Sequence, residues 1–195
     1  MPTPALRTTR ETAAAPRQWG GLFIGFCGIV LLMWWTGARP GEACRLTGHE
    51  IDRSGRLKIQ GGDVLAIPGV WSYRPTAHKG SHAGRARIIL LGPKAQAVLG
   101  KWPNGFDPRT VATNPRATSN YSPHSLITAV KRACKKLNVQ PWHPHQLRHS
   151  AATRFRAFGG KEIAATLLGH AGGTVTDRYA LEDWRRAADC IKKCG

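Results

Sequence analysis

The sequence predicts a single α+β domain that is mainly helical and contains a small antiparallel β-sheet of about three strands. Three observations support this fold class. An apolar run of helical length covers residues 22–35, short β-rich runs alternate with turn signals over residues 51–91, and helical periodicity returns after Pro93. The 195 residues suffice for one domain with a substantial core, but not comfortably for two.

The N-terminal part is predicted to begin with a tail and to continue as two helices. Residues 1–18 are rich in Thr, Ala, Pro and Arg, which predicts a flexible basic tail before a folded domain over residues 19–195. A helix is expected over residues 19–36 and ends at Gly37, since glycine is the usual residue just past a helix. Proline suits a first helical turn, so a short second helix is expected over residues 40–46.

The remaining elements are predicted from the same signals. The turn signals DRSG, GGD and PG separate β-rich runs, which predicts strands at RLKI, VLAI, VWSYR and RARIILL. The segment HKGSHAG is expected to form a polar hairpin tip, and GGDVLAIPG is either a strand or an inserted loop. Helices are expected at residues 93–102, 124–138, 145–158, 161–168 and 174–193.

The charge of the chain indicates a polyanionic partner. Lys and Arg number 29 against 11 Asp and Glu, which gives a net charge of +18. Like charges destabilise a compact fold, so an excess of this size indicates a polyanion that neutralises it, and nucleic acid is the commonest polyanion. A ribosome-like protein or a protein that binds anionic membranes is the alternative. The 42% hydrophobic content and seven Trp favour a folded globule over a basic disordered arm.

The cysteines and the apolar run exclude two other classes of protein. Five cysteines without a repeated C-x-x-C spacing argue against a disulfide framework and favour a reducing cytoplasm. Cys190 and Cys194 could form half a zinc site, although ordinary packing explains them more simply. The run over residues 22–35 is shorter than the roughly 20 residues that span a bilayer, and a signal-peptide cleavage zone would fall at Arg39. A buried helix is therefore preferred.

The residues that carry chemistry concentrate in the last third of the chain. His145, Arg148, His170 and Tyr179 occur in this order within 35 residues, and Arg39 lies far upstream. Arginine supplies charged, planar forks that match phosphate oxygens, histidine moves protons near neutral pH, and tyrosine can act as a covalent nucleophile. Together these side chains are the parts needed to break a phosphodiester without a metal.

Three segments carry a family resemblance. TGARPGEACRL resembles the first arginine box of the tyrosine recombinases, or phage integrases, HPHQLRHSAAT resembles their H-x-x-R box, and LLGHAGGTVTDRY resembles their last box. The similarity covers roughly residues 20–195 and is greatest to integrase-like proteins of bacterial mobile elements. It implies an integrase-type catalytic domain that acts on double-stranded DNA in the cytoplasm, through a 3′-phosphotyrosyl intermediate and with no cofactor.

The resemblance also assigns roles to the five residues above. Arg39 and Arg148 would each direct a fork at the scissile phosphate, and His170 would donate a hydrogen bond to it. Tyr179 would be the nucleophile, and His145 would take its proton or hold the phosphate.

A general acid is needed as well, because an alkoxide leaves poorly unless it is protonated. The family uses a lysine on a β-hairpin, which Lys79 matches, with Lys58 as the second choice. Tyr73 and Tyr121 compete with Tyr179 for the role of nucleophile but lack the spacing to a histidine.

Neighbouring residues receive structural roles. Glu42 is expected to support the turn at Arg39, as the R-x-G-E pattern implies, and His149 of the LRH pattern to be a buried, hydrogen-bonded histidine. The alternative is a zinc site of His143, His145, His149 and His170, which lacks the glutamate of H-E-x-x-H.

Several functions stay open from the sequence. Only about 20 residues precede the catalytic fold, so the helical domain that usually completes a clamp around DNA is expected to be absent. The alternatives to a recombinase are a non-catalytic or truncated DNA-binding relic, an enzyme like a type IB topoisomerase, and a zinc-dependent hydrolase. A homo-oligomer on DNA is expected, assembled either through an apolar stripe on the last helix, formed by Leu181, Trp184, Ala188 and Ile191, or with that stripe packed in its own chain.

Overall fold

A computed structural model describes residues 17–59, 62–76, 87–100, 122–169 and 177–195, with the backbone alone at 17–24 and 177–180. The helices are α1 (Arg17–Thr36), α2 (Pro40–Arg45), α3 (Pro93–Gly100), α4 (Pro123–Leu137), α5 (His145–Leu168) and α6 (Asp177–Cys194). The strands are β1 (Ile51–Asp52), β2 (Arg56–Lys58), β3 (Val64–Ala66), β4 (Trp71–Tyr73) and β5 (Ile89–Leu91). The prediction of a mainly helical α+β fold is confirmed. The predicted basic tail lies outside the described residues except for Arg17 and Gln18, which are helical.

The strands form one sheet and one separate ribbon, both antiparallel. The three-stranded sheet has the order β1–β4–β5, with Ile51 opposite Tyr73 and Trp71 opposite Leu91. Strands β2 and β3 pair with each other, with Leu57 opposite Leu65. The segment GGDVLAIPG therefore contributes a strand. The predicted hairpin tip HKGSHAG falls outside the described residues.

The apolar run near the N-terminus is a core helix. Ile29, Leu32 and Met33 of α1 are at most 1% exposed and pack in one cluster with residues of the sheet and of α3. A second cluster joins α5 and α6 to the strands. Among the helices of the described segments, none has both the length and the apolar character needed to cross a bilayer.

The end of α1 is shaped by two residues. The Thr36 hydroxyl donates a hydrogen bond of 2.6 Å to the Leu32 carbonyl and accepts one of 3.1 Å from the Ala38 N–H. Gly37 then adopts a φ of +65°, and a Cβ atom there would lie 2.7 Å from Cδ2 of Leu168. Because only glycine has both the backbone freedom and the small size for this position, α1 ends directly against α5, two residues before Arg39.

Helix α5 is interrupted and then capped. Gly160 has a non-helical φ of 83°, so the two predicted helices over residues 145–158 and 161–168 follow each other across a kink. The second part ends at Gly169, whose left-handed conformation (φ 64°) lets its N–H donate to the carbonyl groups of Ala165 and Thr166. The chain therefore leaves α5 at a defined angle, one residue before His170.

The apolar stripe of α6 packs within the chain. Ala188 and Ile191 are buried in the second cluster, and Leu181 and Trp184 pack against it half-buried. Cys190 and Cys194 belong to the same cluster, with 3.8 Å between their Sγ atoms, and all five cysteines are free thiols in the described segments. Of the two arrangements expected for the stripe, the structure shows packing in its own core.

Shortening Ile191 tests this packing. Ile191→Ala should lower the free energy of unfolding by about 2–5 kcal/mol, because it opens a cavity under a fully buried side chain. Urea denaturation measures the change, and Lys193→Ala on the exposed side of α6 should stay within about 0.5 kcal/mol of wild type. An Ile191→Ala variant with unchanged stability but weaker self-association on DNA would show that the stripe docks onto a second copy instead.

Candidate functional site

The first predicted site residue, Arg39, is held by a carboxylate. Arg39 directly precedes α2, and its backbone N–H donates a hydrogen bond of 2.8 Å to Oε2 of Glu42. Its guanidinium Nη1 donates a second bond, also 2.8 Å, to Oε1 of the same group. The Arg39 side chain stays 28% exposed, whereas Glu42 is 2% exposed. The prediction that Glu42 supports this turn is confirmed, and the partly exposed guanidinium of Arg39 retains further N–H donors.

Glu42 is shared between two arginines. Nε of Arg87 lies 3.4 Å from Oε1 of Glu42, on a side chain that is only 4% exposed. Burial raises the pKa of Glu42, but the charge of Arg87, with the hydrogen bonds and charge of Arg39, outweighs burial and leaves the pKa below its usual value. Glu42 is therefore a charged carboxylate at neutral pH.

Arg148 joins the ends of two helices. From the first turns of α5 its Nη1 donates a 2.7 Å hydrogen bond to the Gly37 carbonyl, and Nη2 donates a 2.5 Å bond to the Leu168 carbonyl. Both acceptors lie at helix C-termini, where carbonyl groups lack a partner within the helix. A guanidinium has five N–H donors, so the two bonds leave others for a ligand. The structure thus brings Arg148 to the turn that carries Arg39.

The charge state of Arg148 follows from its surroundings. Burial, then the charges of Arg39 and Arg87, lower the pKa of Arg148 to about 10. At neutral pH the side chain is still protonated. Three arginines and one carboxylate therefore meet here, and 3 − 1 gives a local charge of +2, which suits an anion.

Arg87 was not predicted from the sequence to belong to the site. The residue lies just before β5, is 6% exposed, and donates from Nη1 to the carbonyl groups of Ile88 (2.9 Å) and Leu167 (3.2 Å). One signal was available, an arginine within a strand run that is otherwise apolar. The run RARIILL offers two such arginines, however, and strand alternation would place Arg85 and Arg87 on the same face, so it does not single out Arg87.

His145 begins α5 and is exposed. Its ring meets that of His149 edge to face, with 5.7 Å between centroids. Burial lowers the pKa of His145, and the charges of Arg148, His149, His143 and Arg39 lower it further. The imidazole is therefore neutral at neutral pH and can accept a proton.

The expectation that His149 is buried is wrong, since its side chain is exposed. It follows Arg148 by one residue, and about 100° of rotation per residue turns it away from the face that buries Arg148. Its position four residues after His145 places both rings on the same open face. Within the described segments, no group of three or more His, Cys, Asp or Glu side chains gathers as a metal site would require.

The remaining predicted catalytic residues, Tyr179, His170 and Lys79, lie partly or wholly outside the part of the chain that the structure describes. Tyr179 is helical in the first turn of α6, with its side chain outside the described part, and His170 directly follows Gly169. Lys79 falls between β4 and β5, which pair antiparallel, and is also outside the described residues. Lys58 is exposed on β2. The catalytic roles of these residues therefore stay predictions.

One competing nucleophile is accounted for. Tyr73 is 1% exposed, and its hydroxyl donates a 2.9 Å hydrogen bond to the Glu42 carbonyl. Burial, then the charges of Glu50 and Glu42, raise the pKa of Tyr73. A buried, hydrogen-bonded phenol with a raised pKa is a poor nucleophile. Tyr121 lies outside the described residues.

Known proteins are similar to this chain in sequence. Residues 25–185 match the phage integrase family. Tyrosine recombinase XerC of Myxococcus xanthus is 30% identical over 162 residues, which cover 81% of this chain and 50% of the relative. Tyrosine recombinase XerA of Pyrococcus furiosus is 28% identical over 174 residues, 85% of this chain and 53% of the relative. XerC of Pseudomonas putida strain F1 is 31% identical over 113 residues, 54% of this chain and 37% of the relative.

A solved structure has the same fold. The XerH site-specific recombinase, bound to palindromic difH substrate in a post-cleavage complex, aligns with a TM-score of 0.51 at 18% identity. The match covers 85% of this chain and 47% of that chain. Together with the curated relatives, it shows that this chain spans between about a third and about half of the length of the proteins it matches.

Replacing Glu42 tests the central ion pair. Glu42→Gln should lower the free energy of unfolding by about 3–5 kcal/mol, because it leaves the buried guanidinium of Arg87 without a charged partner. Urea denaturation at pH 7 measures this loss. Because the folded chain holds the pKa of Glu42 below 4.5, the stabilisation is present above that value and is lost as the pH falls through the lowered pKa.

The control for this variant is Glu182→Gln, which removes an exposed pair with Arg185 and should cost less than about 1 kcal/mol. A Glu42→Gln protein as stable as the control would contradict the account of the site.

Proposed function

Because this chain belongs to the phage integrase family of tyrosine recombinases, we propose that it cuts and rejoins double-stranded DNA as a site-specific recombinase through a 3′-phosphotyrosyl intermediate. The observation that carries the proposal is the arginine site. Arg39 and Arg148, 109 positions apart in the sequence, meet beside two helix ends and are oriented by Glu42 and by main-chain carbonyls. A site preorganised in this way stabilises a phosphoryl group that gains negative charge.

The proposed reaction is a transesterification. The Tyr179 oxygen attacks the scissile phosphorus, the bond to the 5′-oxygen breaks, and that oxygen takes a proton from Lys79. Arg39, Arg148 and His170 offset the charge that grows on the phosphoryl oxygens. The 5′-hydroxyl of a second strand then reverses the step and releases the tyrosine. The phosphotyrosine conserves the energy of the broken bond, so the reaction requires no ATP.

His145 is proposed as the group that accepts the Tyr179 proton. Its exposed position at the start of α5 makes it accessible to a bound substrate, and its lowered pKa supports the neutral form that a base needs. It precedes Arg148 by three positions, so the two side chains lie on adjoining faces of the same helical turn.

Helix α4 is proposed as part of the DNA interface. It packs against α2, which begins directly after Arg39. Its exposed surface carries the basic residues Lys131, Arg132, Lys135 and Lys136. Contacts from such side chains to phosphates supply affinity without reading sequence, and the net charge of +18 agrees with this mode of binding.

Assembly and location complete the proposal. We place several copies of the chain together on DNA in the cytoplasm, in keeping with the family resemblance and the free thiols. Since Ala188 and Ile191 of α6 are buried in their own core, the proposed contact between copies uses another surface.

Replacing the nucleophile tests the reaction directly. The wild-type chain should form a covalent adduct, visible by denaturing electrophoresis, with a pool of nicked suicide duplexes of randomised sequence. Tyr179→Phe should form none, yet should bind the pool with nearly unchanged affinity, since one hydroxyl adds little to a charge-driven interface. Adduct that persists in Tyr179→Phe, or that maps to Tyr121, would exclude the assignment. Binding without adduct by the wild type would instead indicate a non-catalytic DNA-binding protein.

The pH dependence tests His145. The rate of adduct formation in a single turnover should fall in acid, with a midpoint below 6.5, because the folded chain lowers the pKa of His145 and only its neutral form accepts a proton. Rates between pH 5 and 8 measure this midpoint, on the duplex recovered from the wild-type adduct. His145→Asn should be slower and should lose the inflection, whereas His149→Asn should retain it. An inflection that persists in His145→Asn would assign the base to another residue.

A further inference from the structure

Arg87 links three segments of the site that are distant in sequence. Its Nε lies 3.4 Å from Oε1 of Glu42, which in turn binds Arg39. Its Nη1 donates to the Ile88 carbonyl beside β5 and to the Leu167 carbonyl in the last turn of α5. One guanidinium thus ties the turn at Arg39 to the end of the helix that precedes His170.

The contact with the end of α5 is close. A Cβ atom at Gly169 would lie 2.5 Å from Nη1 of Arg87 and 3.0 Å from its Cζ. The guanidinium therefore lies against the main chain of Gly169, the residue that turns the chain out of α5 with a φ of +64°. Arg87 therefore contacts the main chain directly before His170 in the sequence.

Burying the charged side chain of Arg87 costs free energy, because the guanidinium loses its hydration. Burial lowers the pKa of Arg87, and the charge of Arg39 adds to this effect, while the charge of Glu42 opposes it. Well-packed apolar residues commonly stabilise such positions at least as well as a buried ion pair. What an apolar side chain cannot do is hold a carboxylate and two carbonyl groups at fixed angles with one planar fork.

We propose that Arg87 is a positioning residue for DNA cleavage, which sets Arg39 through Glu42 and holds the end of α5, directly before His170 in the sequence, through the Leu167 carbonyl and Gly169. The inference rests on the proposed function, since Arg39 and His170 act there on the scissile phosphate. Errors of about 1 Å in such groups can cost about 10²-fold in rate. Loss of Arg87 is therefore expected to slow the chemical step far more than it weakens DNA binding.

The experiment compares Arg87→Met and Arg87→Lys with Arg154→Met as a matched control. Like Arg87, Arg154 connects two elements of the fold. It lies on α5 and contacts α1, where its Nη2 donates to the Trp34 carbonyl and its Cζ lies 4.8 Å from the centre of the Trp34 ring. It is half-buried and touches neither Glu42 nor the end of α5 among the described contacts. Single-turnover cleavage and affinity are measured on the duplex recovered from the wild-type adduct, at a temperature where circular dichroism shows the variants folded.

Arg87→Met is expected to cleave about 10²-fold more slowly than wild type, with an affinity for the duplex within about threefold of wild type. Arg87→Lys keeps the charge but not the planar fork, and is expected to be slower by at least about tenfold. Arg154→Met is expected to lose stability but to cleave within about threefold of wild type. If Arg87→Met does not fold, Arg87→Lys carries the comparison. Cleavage by the Arg87 variants as fast as that of Arg154→Met would overturn the inference.

A second measurement separates this inference from the proposed function. If the wild-type chain forms no adduct, the recombinase proposal fails, and inorganic tungstate then serves as a probe of the anion site. Tungstate should raise the unfolding temperature of wild type and of Arg154→Met but not that of Arg87→Met. An equal rise in all three proteins would show that Arg87 does not position the site.

Discussion

A carboxylate that is almost fully buried stays charged only when cations are placed against it, and Glu42 imposes that requirement on the whole site. Its two oxygens hold Arg39 from the solvent side and Arg87 from the interior. Arg148 carries a third positive charge nearby, and burial, followed by the charges of Arg39 and Arg87, lowers its pKa to about 10. Without the carboxylate, three like charges would face one another. The same negative group therefore orients the exposed arginine and makes burial of the others tolerable.

Helix ends supply the second constraint. Helices α1 and α5 both stop at glycines in the left-handed conformation, Gly37 and Gly169, and their last carbonyl groups would otherwise lack partners. Arg148 caps both ends at once, across a sequence separation of 111 residues to Gly37. The arginine site is thus built at helix ends, the parts of the fold whose carbonyl groups most need hydrogen-bond donors. Arg148 thus donates hydrogen bonds to the free carbonyl groups of two helices and is also one of the residues proposed to bind the phosphate.

Much of the fold follows from local signals in the sequence. Pro40 and Gly37 mark the boundary between α1 and α2, and the pair Gly159–Gly160 anticipates the kink in α5. Strand β1 has only two residues and carries no periodicity, so the sheet was predicted without it. The fate of the α6 stripe was open for a physical reason. Periodicity shows that one face of a helix is apolar, but it does not show which surface covers that face.

The arginines proposed to contact phosphate could be predicted from the sequence, whereas the buried Arg87, which pairs with Glu42, could not. Arg39 and Arg148 were identified by order and spacing, and Glu42 by its place in the first box. Arg87 and the exposure of His149 depend on which side of an element faces the core, and that is decided by contacts between segments distant in sequence. His170, Tyr179 and Lys79 remain predictions from the resemblance.

The arginine site is proposed to offset charge on a phosphate, and a change in the substrate alone can show whether it does. A duplex with a single methylphosphonate at the scissile position lacks one charged non-bridging oxygen, and with it one of the negative charges that Arg39 is proposed to balance. On ordinary DNA, Arg39→Ala should slow single-turnover adduct formation by about 10²–10³-fold. On the methylphosphonate duplex the penalty should be less than about tenfold, since the reacting phosphoryl group carries one negative charge fewer. An equal penalty on both substrates would contradict the account, because Arg39 would then act on something other than the phosphate.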